Sequence, residues 1–171
     1  MSEGERRNVR SIFHININCS DLDLSVSFYE ALGFKKVLEA APFEGVADAS
    51  YEALAMHGHV AHRGPVVLFL GDDVRQTRLD LMQWVTPLSP ASEPRSPYAL
   101  GVPRIALWTK DIAGLYQRLR HQLDFIKPPV GPFEDRAIQA IACLRDPDGL
   151  FVELMEFLPT GRSLYVAGAS R

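Results

Sequence analysis

Four side chains set the chemical question: His14, Asp80, Arg104 and Glu153. His14 stands in Phe13-His14-Ile15-Asn16-Ile17-Asn18, an alternating, isoleucine-rich run that reads as a strand from Ser11 to Asn18. Alternation puts Ile12, His14, Asn16 and Asn18 on one face and Phe13, Ile15 and Ile17 on the other. The apolar face suits packing on a helix, whereas a His/Asn face suits the lining of a polar cavity. Asp80 and Glu153 recur in matching settings, Leu79-Asp80-Leu81 and Val152-Glu153-Leu154. A carboxylate between apolar neighbours can accept a proton or sit in an ion pair. Arg104 is restricted to donating, because a guanidinium is always charged and cannot bind a cation. Its natural partner is a carboxylate, in the chain or on an anionic ligand.

The elements that must hold these groups follow from pattern. Asp21 is a good N-cap for a helix from Leu22 to about Leu32, and Gly33 is the residue expected just past its end. Phe34 to Leu38 reads as a short strand with two exposed lysines. Ala40 to Gly58 has no clear period and reads as a short helix or a mobile cover. Val60 to Leu70 holds a strand, Gly71-Asp72-Asp73 a turn, and Arg78 to Trp84 a strand with Asp80, Met82 and Trp84 on one face. Arg104 to Thr109 is a strand, Asp111 a cap, and Ile112 to Gln122 a helix. Ala137 to Leu144 and Leu150 to Leu158 are strands about the turn Arg145-Asp146-Pro147-Asp148-Gly149.

Composition removes several classes of function. The chain has 171 residues, 47% hydrophobic and 23% charged, with a net charge of -3. Its basic residues are scattered, so no nucleic-acid partner is expected. No apolar run approaches the ~18 residues of a membrane span. Cys19 and Cys143 make no disulfide framework or CxxC motif and read as small buried hydrophobes in a reducing, cytoplasmic setting. His57, His59 and His62 lie near Gly58 and Gly64 and read as solvated loop histidines. His121 follows Arg118 and Arg120 at a helix end and reads as surface.

The chain repeats itself. His14 precedes the cap Asp21 by seven positions, and Arg104 precedes Asp111 by seven. Each half then ends in a turn and a carboxylate-bearing strand, giving β-α-β-β-β twice. The division predicted is a flexible N-terminus at 1–10, a first module at 11–86, and a linker at 87–101 with four prolines. A second module follows at 102–158 and a C-terminal tail at 159–171. Ser20-Asp21-Leu22, Ser27-Phe28-Tyr29 and Leu32-Gly33-Phe34 resemble the first module of the vicinal oxygen chelate superfamily. Asp146-Pro147-Asp148-Gly149 and Val152-Glu153-Leu154 resemble the end of its second. That superfamily includes glyoxalase I, methylmalonyl-CoA epimerase, extradiol dioxygenases, fosfomycin-resistance thiol transferases and the bleomycin-binding proteins. The resemblance spans about residues 11–158. It implies an α+β fold of two βαβββ modules forming a curled mixed-sheet half-barrel with the helices outside. The pairing of modules is usually completed by dimerisation or by two modules in one chain, and a homodimer is expected.

In metal-using members each module gives the metal one ligand from its first strand and one from its last. Those positions here are His14, Asp80, Arg104 and Glu153. His14, Asp80 and Glu153 would suit Zn, Mg, Mn or Fe. Arg104 departs from the pattern and favours an absent or weak metal, since its charge repels a cation in a low-dielectric site. The resemblance makes Glu153 the candidate base, taking a proton from carbon next to a carbonyl, and Arg104 the clamp for a carboxylate or enolate. Asn16, Asn18 and Gln139 would hydrogen-bond a ligand, and Trp84, Trp108, Met155 and Phe157 would form an apolar wall. Three functions follow: a glyoxalase-like lyase or isomerase for a small oxygenated anionic metabolite, a metal-free binding protein for an antibiotic or aromatic molecule, and an Fe(II) ring-cleaving dioxygenase. The last would need a histidine where Arg104 stands.

Overall fold

The computed structural model describes residues 11–71, 76–88 and 96–159. Residues 89–95 of the expected linker, the expected N-terminus, all but Pro159 of the expected C-terminal tail, and Asp72-Asp73 of the expected turn lie outside them. The chain divides into two compact units, residues 1–91 and 92–171.

In the first unit β1 (His14–Asn18) leads into α1 (Leu22–Ala31). The Asp21 side chain starts that helix by accepting from the Leu24 amide at 3.0 Å. Strand β2 (Phe34–Glu39) follows, then β3 (Phe43–Val46), the short helix α2 (Ala49–Glu52), β4 (His59–Leu70) and β5 (Arg78–Thr86). The sheet order is β1-β5-β4-β2, with β3 also paired to β4. The β1–β5 pair is parallel and every other pair antiparallel. One face packs on α1 through Val66, Leu68, Leu79 and Leu81, all at most 3% exposed. Burial of each such side chain contributes about 1.5–3 kcal/mol. The opposite face carries His14, Asn16, Asn18, Arg78, Asp80, Met82 and Trp84, because residues paired across neighbouring strands point the same way.

Two expectations are corrected here. The Ala40–Gly58 stretch is neither a bare cover nor simply a helix. It contributes β3 to the sheet edge and then one turn of helix capped by Asp48. His59 and His62 lie in β4 rather than in a solvated loop, and His62 is buried. Gly64, read as a loop signal, has another role. Gly64 has φ +91° where the β4–β5 register shifts, and a Cβ there would stand 2.7 Å from the Leu81 carbonyl oxygen.

The second unit has β6 (Arg104–Trp108), α3 (Ile112–Leu119), the two-residue β7 (Asp124–Phe125), β8 (Ile138–Arg145) and β9 (Phe151–Phe157). Its order is β6-β9-β8-β7, with β6 and β9 parallel. Helix α3 ends three residues short of the expected Gln122. Both units are therefore α+β βαβββ folds with mixed sheets, neither closed into a barrel, and the first carries β3 and α2 in addition. Among the described residues no helix is long and apolar enough to cross a membrane.

The repeat extends to a detail absent from the motif reading. Three residues after Asp80, Gln83 accepts weakly from the Leu22 amide at 3.4 Å and donates to the Ser20 carbonyl at 2.7 Å. Three residues after Glu153, Glu156 accepts from the Ile112 amide at 2.9 Å. In each unit the last strand thus tethers the first turn of the helix, satisfying a donor that the helix itself leaves unpaired.

Candidate functional site

In the first unit the helix-distant face gathers His14, Asp80 and Asn16. His14 Nδ1 lies 3.2 Å from Asp80 Oδ2, and His14 Nε2 lies 3.3 Å from Asn16 Nδ2. A carboxylate accepts and an amide nitrogen donates, so these partners select the tautomer with the proton on Nδ1. The other oxygen of Asp80, Oδ1, is buried and has no hydrogen-bond partner among the described residues. Strand parity produces the group: β1 and β5 run parallel in a register that sets Asn16 beside Asp80.

Two strand positions further on, the Trp84 indole N–H donates to Asn18 Oδ1 at 3.0 Å. Trp84 also meets the buried His62 ring edge-on at 5.1 Å. His62 Nδ1 donates to the Gly64 carbonyl at 3.1 Å, which leaves Nε2 to accept from the Tyr51 hydroxyl at 2.8 Å. Phe43 stacks on both Tyr51 and His62. Burial raises the Tyr51 hydroxyl above its usual value, and the Asp48 charge raises it further. Sequence reading missed this aromatic cluster because its members come from β3, α2, β4 and β5. Only the alternation of β4 through His62 could have indicated it.

In the second unit Arg104 Nε donates to Glu153 Oε2 at 2.8 Å; the arginine side chain is 53% exposed and the glutamate 18%. Cys143 lies directly across from Glu153 in the β8–β9 ladder. Burial first, then the Glu153 charge, pushes the Cys143 thiol up, while Arg104 and Arg145 oppose them. Met155 and Phe157 are half-buried, and Trp108, beside Met155 across the β6–β9 pair, is 45% exposed. Gln139 is exposed at the register shift near the start of β8. Neither tryptophan packs beneath a helix, since both share the faces of Asp80 and Glu153.

The donor set does not fit a four-ligand metal centre. Within either unit, among the described residues, no three His, Cys, Asp or Glu side chains come together to hold a metal. His14 and Asp80 are turned onto one another, and Glu153 is held by a guanidinium in place of a ligand.

Two βαβββ units, each with a carboxylate on its last strand, define a recognisable class of fold. The chain belongs to the Glyoxalase/Bleomycin resistance protein/Dioxygenase superfamily, whose pattern matches residues 11–154. Solved structures agree at the level of fold. A glyoxalase family protein from Bacillus cereus is 18% identical with a TM-score of 0.69, covering 90% of this chain and 97% of that one. The trypanothione-dependent glyoxalase I of Leishmania major is 22% identical with a TM-score of 0.57, covering 95% and 94%. A glyoxylase/bleomycin resistance protein/dioxygenase domain from Frankia sp. is 14% identical with a TM-score of 0.59, covering 88% and 99%. Comparison with curated proteins found no match.

Proposed function

We propose that this chain is a lyase or isomerase of the glyoxalase and epimerase kind that acts on a small, oxygenated, anionic metabolite without a full metal centre. The observation that carries the reading is the 2.8 Å pair between Arg104 and Glu153 at a position where relatives place metal ligands. Glu153 acts as the base that removes a proton from carbon next to a carbonyl. Arg104 spends its Nε–H on Glu153, and its remaining N–H donors bind the carboxylate or developing enolate of the ligand. His14, held by Asp80 in one tautomer, offers Nε2 as a proton relay. The roles assigned to Asn16, Asn18, Trp84, Trp108, Gln139, Met155 and Phe157 are those of ligand contacts. The same reading places the protein in the cytoplasm as a homodimer.

The test is Glu153→Gln assayed by deuterium exchange into the carbon next to the carbonyl of small 2-oxo acids. Exchange by the wild type, lost in the variant while ligand binding persists, supports a base. Unchanged exchange in the variant refutes it. The aromatic cluster around Trp84 and His62 favours a second reading, a metal-free binding protein for aromatic molecules. That reading predicts quenching of tryptophan fluorescence by an aromatic ligand, with no exchange by the wild type.

A further inference from the structure

We propose that Arg78 forms a subsite for the carboxylate of a small hydroxycarboxylate, on the face of the first unit that carries His14 and Asp80. The proposal deepens the reading of an anionic ligand and rests on it. The guanidinium carbon of Arg78 lies 4.3 Å from the centre of the Phe13 ring and 4.7 Å from that of Phe69. Contacts of this kind hold a guanidinium through its faces, whereas its five N–H donors lie in the plane and point outward. Nε of Arg78 is buried and has no hydrogen-bond partner among the described residues. Among the described residues no carboxylate lies within ion-pair distance of it, whereas Arg63, the other half-buried arginine, is paired with Asp23 at 3.0 Å. A part-buried cation with an unpartnered donor is costly to fold, and an anion that supplies an acceptor relieves that cost.

The surroundings narrow the ligand. Arg78 pairs in register with His14 and is two residues from Asp80 along β5, so all three share one face. One cation beside an aspartate favours a single negative charge and disfavours a dianion such as phosphate. The planar fork of arginine matches a carboxylate in two parallel hydrogen bonds. Asp80 Oδ1, buried and without a partner, is the acceptor for a hydroxyl on the same ligand. With Glu153 already neutralising it, Arg104 is left the developing enolate, the other of the two duties the proposed function gives it.

The experiment follows the Arg78 Nε–H signal by NMR during titration of the full chain. The probes are glycolate, 3-hydroxypropanoate, acetate and inorganic phosphate at constant ionic strength. The expected result is a saturable shift with a hydroxy acid, tighter than with acetate or phosphate. Binding, read in parallel from the His14 ring signals, should be lost in Arg78→Met and weakened about tenfold or more in Arg78→Lys, which keeps the charge but not the fork. Arg63→Met should leave it unchanged. Should Arg78→Met fail to fold, Arg78→Lys decides. Absence of a saturable shift with every carboxylate, tighter binding of phosphate, or undiminished binding in the Arg78 variants overturns the proposal. Loss of binding in Arg104→Met with retention in Arg78→Met moves the clamp to Arg104; Arg78 then fails while the proposed function stands.

Discussion

The Arg104–Glu153 pair yields a quantitative prediction. Replacing Arg104 by Met keeps most of the apolar stem and removes the donor. A charge-assisted hydrogen bond at 2.8 Å contributes about 1.5–3 kcal/mol when shielded, whereas an exposed ion pair contributes about 0–1 kcal/mol. With the arginine half exposed and the carboxylate mostly covered, the coupling should be about 1 kcal/mol. The assay is a double-mutant cycle in urea over wild type, Arg104→Met, Glu153→Gln and the double variant. In a chain of 171 residues such a loss lowers Tm by about 2–4 °C. Cys143 provides an independent readout in a Cys19→Ser background. Glu153 pushes its thiol up and Arg104 pulls it down, so Glu153→Gln should speed alkylation at pH 8 and Arg104→Met should slow it. A coupling near zero, together with alkylation rates unmoved in both variants, would refute the reasoning.

Other predictions probe the elements that hold the two faces. Glu156→Ala leaves the Ile112 amide without its acceptor and should cost about 1–2 kcal/mol in denaturant. Gly64→Ala, with φ +91° and a Cβ pressed on the Leu81 carbonyl, should destabilise the first unit by more than about 2 kcal/mol, read from its urea midpoint. Asp48 has a pKa below its usual value because the Ser50 hydroxyl, then the Ser50 and Tyr51 amides, donate to its carboxylate. A folded pKa below the unfolded one means the cap is fully effective above about pH 4 and is lost as pH falls through the folded value. Hydrogen exchange at Ser50 and Tyr51, corrected for the intrinsic pH dependence, should therefore lose protection at pH 3 relative to pH 6, and Asp48→Asn should flatten that difference.

Much of the scaffold was legible in the residues. Asp21 and Asp111 stood before amphipathic runs and do cap their helices. Strict alternation placed His14 with Asn16, and Asp80 with Trp84, on shared faces. The ion-pair chemistry of Arg104 followed from its inability to accept, although the choice between Asp80 and Glu153 required the fold. Three features were not legible, each for a physical reason. The β3 strand has too few residues to show a period, so its place at the sheet edge depends on the long β4. His62 was masked by flanking glycines, one of which permits a register shift inside a strand rather than ending it. Arg78 looked like the unremarked start of β5. Its meaning comes from Phe13, just before β1, and Phe69, near the end of β4, which only the fold brings against it.

In the proposed function, ion pairing replaces metal ligation at the family positions. The most direct measurement is metal content by mass spectrometry after purification and after incubation with Zn, Mn, Mg and Fe(II), comparing wild type with Arg104→His. The wild type should hold far less than one metal per chain and the variant should gain metal, because the substitution removes the repelling charge and supplies an imidazole. One tightly held metal per wild-type chain, lost on His14→Ala or Glu153→Gln, would contradict it.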